Sequence, residues 1–140
     1  MKRRRFLRRP EQVAAARRFV TQAFADGSEL GETARLLVSE TVTSSLDRAR
    51  PGPGEGTLVI GYAIVDGWLR VEVSDDGGPA RLRRRVHGVD AQSGRGLRLV
   101  QTLASRWGVR EDPSGRTIWF ELDLRPTAER RRPPARRPAG

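Results

Sequence analysis

An α+β two-layer sandwich, with helices packed on one face of a mixed, mostly antiparallel sheet, is the fold that the sequence predicts. Three observations point to it. Two amphipathic helical stretches come first, closed by Asp26-Gly27 and by the Pro51-Gly52-Pro53-Gly54 break. From Thr57 the pattern changes to short β-branched and aromatic runs, and a third helical stretch lies between the strands, so the elements are segregated rather than strictly alternating. At 140 residues the chain has the size of one domain. Such a domain buries roughly two-thirds of its unfolded surface without disulfides or metals.

Pro10 suits a first helical turn, and after it Val13, Ala16, Phe19, Val20, Ala23 and Phe24 recur at helical spacing. A second helix starts near Glu32 and carries Leu36, Leu37, Val38, Val42, Leu46 and Ala49. Leu58 to Val65 and Trp68 to Asp75 read as two strands joined by Asp66-Gly67, a pair favoured in tight hairpins. Leu69, Val71 and Val73 alternate with Arg70, Glu72 and Ser74, so one face of the sheet is buried and the other wet. Residues 76–95 lose all periodicity, as functional loops do. At Gly94-Arg95-Gly96 a third helix opens, with Leu97, Val100, Leu103, Ala104 and Trp107 facing inward. A short strand near Val109, a turn at Asp112-Pro113-Ser114-Gly115 and a strand through Ile118, Phe120, Leu122 and Leu124 complete the fold.

The net charge of +10 raises the question of nucleic acid. The excess sits at the ends: Lys2, Arg3, Arg4, Arg5, Arg8 and Arg9 at one, and six arginines against Glu129 from Arg125 onward at the other. Removing those twelve bases and one acid leaves 15 bases and 16 acids between Glu11 and Leu124, so the middle is neutral. Residues 1–9 and 125–140 are expected to be disordered basic tails around a folded domain at 10–124, because such composition buries too little apolar surface to order itself. Specific nucleic-acid recognition is therefore not expected. With no cysteine, no apolar stretch of membrane length and no secretion-like amino terminus, the chain reads as cytoplasmic and not membrane-bound.

Glu40, Ser44 and Arg48 fall at i, i+4 and i+8 of the second helix and form one polar stripe, which could be a solvated face or could face a ligand. Asp75 ends a strand and is followed by Gly77-Gly78, a long loop and the Gly94-Arg95-Gly96-Leu97 helix start. Glycines at a helix amino terminus let backbone N–H groups approach phosphate oxygens, although an isolated pair of them serves turns equally well.

Four segments in this order, Leu36 to Thr43, Val71 to Gly78, Ser93 to Val100 and Gly115 to Leu122, resemble the anti-sigma-factor serine/threonine-kinase branch of the histidine-kinase-like (Bergerat-fold) ATPases, over about residues 10–124. The resemblance implies ATP as ligand. It makes Asp75 the acceptor for the adenine amino group with Gly77 giving the base room, and Thr117 its neighbour on the closing strand. Glu40 matches the glutamate that activates the attacking hydroxyl or water. Gly94, Arg95, Gly96 and Leu97 match the phosphate-wrapping segment, and residues 78–94 the lid over ATP.

This chain departs from the pattern where the family has a magnesium-ligating asparagine: it has Ser44, with Arg48 and Pro79 replacing a histidine and a glycine. A serine hydroxyl is shorter than an asparagine carbonyl, so Ser44 is a weak or absent Mg2+ ligand. Arg81, Arg83, Arg84 and Arg85 in the lid could neutralise phosphate or form a solvated basic loop. His87 lacks a second metal ligand nearby, and Trp68, Trp107 and Trp119 are expected in packing roles.

Two functions stay open. One is an ATP-dependent regulator of transcription that binds a sigma factor or its antagonist, as a homodimer, and phosphorylates the antagonist. The other is a nucleotide- and partner-binding module without phosphoryl transfer, and Ser44 separates the two.

Overall fold

The computed structural model describes residues 1–25, 27–47, 56–75, 97–113 and 115–126. Within them lie β1 (Lys2–Leu7), α1 (Gln12–Thr21), α2 (Glu29–Asp47), β2 (Thr57–Val65), β3 (Trp68–Asp75), α3 (Arg98–Leu103), β4 (Arg106–Asp112) and β5 (Gly115–Asp123). The strands form one five-stranded sheet in the order β1-β2-β3-β5-β4. Every pairing is antiparallel, so the expected two-layer α+β sandwich is present without a parallel component among the described residues.

The expectation of a disordered segment at residues 1–9 is overturned. Lys2–Leu7 is an edge strand, in register with β2 from Lys2↔Tyr62 to Leu7↔Thr57. Its anchor is Phe6, which is buried and packs edge-on against Phe19 at 6.0 Å, while Phe19 does the same against Tyr62 at 5.1 Å. The basic residues around Phe6 stay exposed, a composition that suits a strand whose outer edge must not pair with other chains. Arg8 is also buried, and its Nη2 donates to the Ser45 carbonyl. The expected Arg/Pro-rich tail beyond Pro126 and the lid at 78–94 lie outside the described residues.

Ser28 starts α2: its Oγ accepts the Gly31 N–H at 3.2 Å, and Glu29 and Glu32 place negative charge at the positive end of the helix dipole. The helix presents Ala34, Leu37, Val38, Thr41, Val42 and Ser45 to the core. Thr41 is fully buried yet satisfied, since its hydroxyl donates back to the carbonyls of Leu37 and Val38. Leu58, Ile60 and Tyr62 of β2, Leu69, Val71 and Val73 of β3, and Ile118, Phe120 and Leu122 of β5 meet that helix layer. Asp66 and Gly67 turn the β2–β3 hairpin with φ of +51° and +78°, the two positive values that a two-residue type I′ turn requires.

The third helix is shorter than the periodicity suggests. Leu97 and Val100 are buried, but Leu103 and Trp107 are exposed, and Trp107 belongs to β4. The Ser105 N–H donates to the Glu121 carbonyl at 2.9 Å, and pairing with β5 then draws the chain into a strand.

On the open face of the sheet, Arg70 stacks on Trp119 at 4.3 Å and Arg106 on Trp68 at 4.2 Å. Glu121 holds both guanidinium groups, at 3.9 and 3.8 Å. Gly108 lets the Trp119 indole lie across β4, because a Cβ there would meet ring atoms at 2.7–2.8 Å. Gly108→Ala is therefore expected to lower stability by about 1–2 kcal/mol through displacement of the ring, read as a lower urea midpoint at unchanged slope. An unchanged midpoint would show that the indole can swing aside freely.

Candidate functional site

Three elements meet at one end of the sandwich: the last turns of α2, the end of β3 and the start of β5. Side chains alternate along a strand, so Asp75 continues the buried set Leu69, Val71 and Val73 and faces the helices. It is only 4% exposed. A carboxylate taken so far from water needs compensating charge or donors.

Arg116 stands opposite Asp75 in the β3–β5 register and opposite Glu111 in the β4–β5 register. It is 2% exposed, and its Nη2 donates to the Ser44 Oγ on α2 at 3.4 Å. The guanidinium thus spans from the sheet to the helix layer, reaching from the Asp75 position to Ser44. Ser44 itself is buried rather than part of a solvated stripe, while Glu40, one turn earlier, is half-buried.

Thr117 is not brought to Asp75. It pairs with Ser74, and the two hydroxyls share a hydrogen bond of 2.8 Å on the opposite face of the sheet. The physical reason is the period of two: Thr117 is one residue out of phase with Ile118, Phe120 and Leu122, so the residue that meets Asp75 is Arg116. The same alternation, continued one step back from Ile118, would have identified Arg116 from the sequence. Leu97 is buried in the core at the start of α3. Gly77, Gly94, Arg95, Gly96, Arg48 and the lid arginines lie outside the described residues.

A buried carboxylate thus stands opposite a buried guanidinium across β3 and β5, so each compensates the other's charge away from water. A magnesium ion fits the described residues poorly. The Ser44 hydroxyl is engaged by a cation, and no group of three or more His, Cys, Asp or Glu among the described residues could hold a metal.

The family model of the histidine kinase-like ATPase domain matches residues 6–122. The chain belongs to that family. The domain is also 34% identical to the serine-protein kinase RsbW of Listeria monocytogenes serotype 4a, over 51% of this chain and 53% of that protein. The same figures hold for RsbW of serotype 4b, so the domain spans about half the length of the curated relatives it matches. A blue-light activated histidine kinase of Erythrobacter litoralis aligns over 81% of the domain and 40% of that chain, at 24% identity and a TM-score of 0.50. That likeness bears on the fold, and the five-stranded sheet with helices on one face agrees with it. The family match begins at Phe6, inside β1, which is consistent with the first strand being part of the domain.

Proposed function

We propose that the domain is a regulator that binds ATP and a protein partner, the partner being a sigma factor or the antagonist of one. The observation that supports it best is Asp75: a buried carboxylate at the end of a core strand, facing the helix layer, inside a histidine kinase-like ATPase match. Asp75 would accept the hydrogen bond from the adenine amino group, and the helix start at Gly94-Arg95-Gly96-Leu97 would lie along the phosphates. The likeness to proteins named serine-protein kinases supports a protein as the second ligand. A cytoplasmic location and a homodimer belong to the same reading.

For phosphoryl transfer, Glu40 would activate the acceptor hydroxyl, one helical turn from Ser44. The Ser44–Arg116 contact favours the second reading, in which the domain keeps nucleotide and partner binding and transfers phosphate slowly or not at all. Calorimetric titration with ATP tests the first part. Ligand at about 100 times Kd adds roughly 2.7 kcal/mol to the stability of a native state that binds it, so ATP should also raise the melting temperature by several degrees. No heat and no thermal shift at millimolar ATP would sink the nucleotide reading. Incubation with labelled ATP and a candidate antagonist then separates transfer from binding alone.

A further inference from the structure

We infer that the outer edge of β1 docks an acidic, extended protein segment, which pairs with it as a sixth strand. The inference rests on the reading that the domain has a protein partner and is independent of nucleotide.

β1 ends the sheet, and among the described residues no strand pairs with its outer edge. An edge of this kind offers a row of backbone N–H and C=O groups to an added strand. Lys2, Arg3, Arg4 and Arg5 are all exposed, and among the described residues none of them forms an ion pair. Arg4 lies over the Phe6 ring at 5.0 Å, a contact that leaves its charge without a counterion. Four cations are thus held on consecutive residues of an ordered strand, where acidic side chains set opposite them would be favourable.

The pleat selects the shape of the partner. Arg3 and Arg5 share the open face with Gly61 and Val59, while Lys2 and Arg4 share the helix face with Tyr62 and Ile60. A flat anionic surface meets only one of these rows. A strand laid along the edge has side chains on both faces and meets both, so consecutive acidic residues fit it. A second copy of β1 would set like charges opposite each other. The other segments of this chain do not supply the acid either: residues 48–55 hold Arg48 and Arg50 against Glu55, residues 76–96 hold five arginines against Asp76 and Asp90, and residues 127–140 hold five against Glu129. The charges that turn most strands away therefore admit one of opposite sign.

The experiment titrates the full chain at low ionic strength with a fluorescein-labelled peptide, Thr-Val-Glu-Glu-Glu-Glu-Val-Thr. Two controls carry the same charge: the peptide N-methylated at its glutamates, which lacks those N–H donors, and a thymidine pentanucleotide with four phosphates. The peptide is expected to bind and to slow hydrogen exchange at those amides of residues 2–7 that do not face β2. N-methylation should cost at least about tenfold in affinity. Arg3→Gln/Arg5→Gln and Lys2→Gln/Arg4→Gln should each weaken binding roughly 2- to 30-fold, the worth of two cross-strand charge pairs. Urea midpoints confirm that each variant is folded, and Lys2→Gln alone tests the helix face should its double variant unfold. No binding by the native chain overturns the inference, as do equal affinity for the N-methylated peptide and a loss confined to one face. Tighter binding of the pentanucleotide overturns it in favour of phosphate contact. A candidate antagonist that binds the native chain and both double variants equally overturns it while leaving the protein-partner reading intact. Peptide binding as expected, with no affinity for a sigma factor or an antagonist, keeps the docking edge and removes that identity for the partner.

Discussion

Asp75→Asn is expected to weaken ATP binding by roughly 5- to 150-fold, the equivalent of about 1–3 kcal/mol for a buried polar partner left without its match. The substitution keeps the shape of the side chain and removes its charge. An amide offers one acceptor oxygen where the carboxylate has two, and its NH2 group repels the exocyclic amine that the carboxylate would receive. Asp75 also opposes the Arg116 guanidinium, and both are nearly excluded from water. The unliganded variant should therefore melt lower as well, since removing one partner of a buried charged pair leaves the other poorly compensated. The two effects separate by experiment: calorimetry gives the loss in affinity below the melting temperature, and denaturation without ligand gives the loss in stability. Unchanged affinity in a folded Asp75→Asn protein would remove this residue from the site.

How much of this was legible in the sequence depends on how many signals each element gives. The β2–β3 hairpin gives several that agree: alternation through Leu69, Val71 and Val73, β-branched residues, and an Asp66-Gly67 turn able to take two positive φ values. Its boundaries follow closely from them. In β1 a single apolar side chain, Phe6, reaches the core, and four basic residues on an edge strand need no burial to be compatible with pairing. Charge dominates that segment locally, and the pairing that orders it is made with β2, some fifty positions away. The third helix ends earlier than its periodicity predicts, because Leu103 and Trp107 keep helical spacing by coincidence while β5 claims Trp107 as the partner of Phe120.

The candidate site divides along the same line. Asp75 and Ser44 were visible because each belongs to a segment with its own periodicity, and the structure places both at the same end of the fold. For Arg116 two signals compete: alternation from Ile118 turns it toward the helices, while a charged residue at the start of an apolar strand is ordinarily at the water boundary. The row of Glu111, Arg116 and Asp75 across adjacent strands, with Ser44 on the helix, resolves that competition by giving the buried guanidinium polar neighbours.

The largest expected loss of stability follows from Phe6→Ala. The ring is 3% exposed and packs edge-on against Phe19 at 6.0 Å, which in turn packs on Tyr62 at 5.1 Å, so it closes one end of an aromatic row joining β1, α1 and β2. Truncating a buried phenylalanine costs about 3–5 kcal/mol through lost transfer energy and the cavity left behind. Domains of this size have only about 5–15 kcal/mol in total, so the variant should unfold at a markedly lower urea midpoint and be partly unfolded at 37 °C. The neighbouring residues provide the contrast. Arg3 and Arg5 are exposed, and Arg3→Ser or Arg5→Ser should change stability by less than about 0.5 kcal/mol. Deleting residues 1–7 should act like Phe6→Ala and in addition turn β2 into an uncharged edge, where Leu58, Ile60 and Tyr62 lose cover and chains associate. Native-state proteolysis gives a second reading: trypsin should cut slowly at Arg3, Arg4 and Arg5 while β1 is paired, and quickly in Phe6→Ala. If Phe6→Ala leaves the midpoint unchanged and the deletion is equally neutral, the first seven residues are a tail after all and the sheet begins at β2.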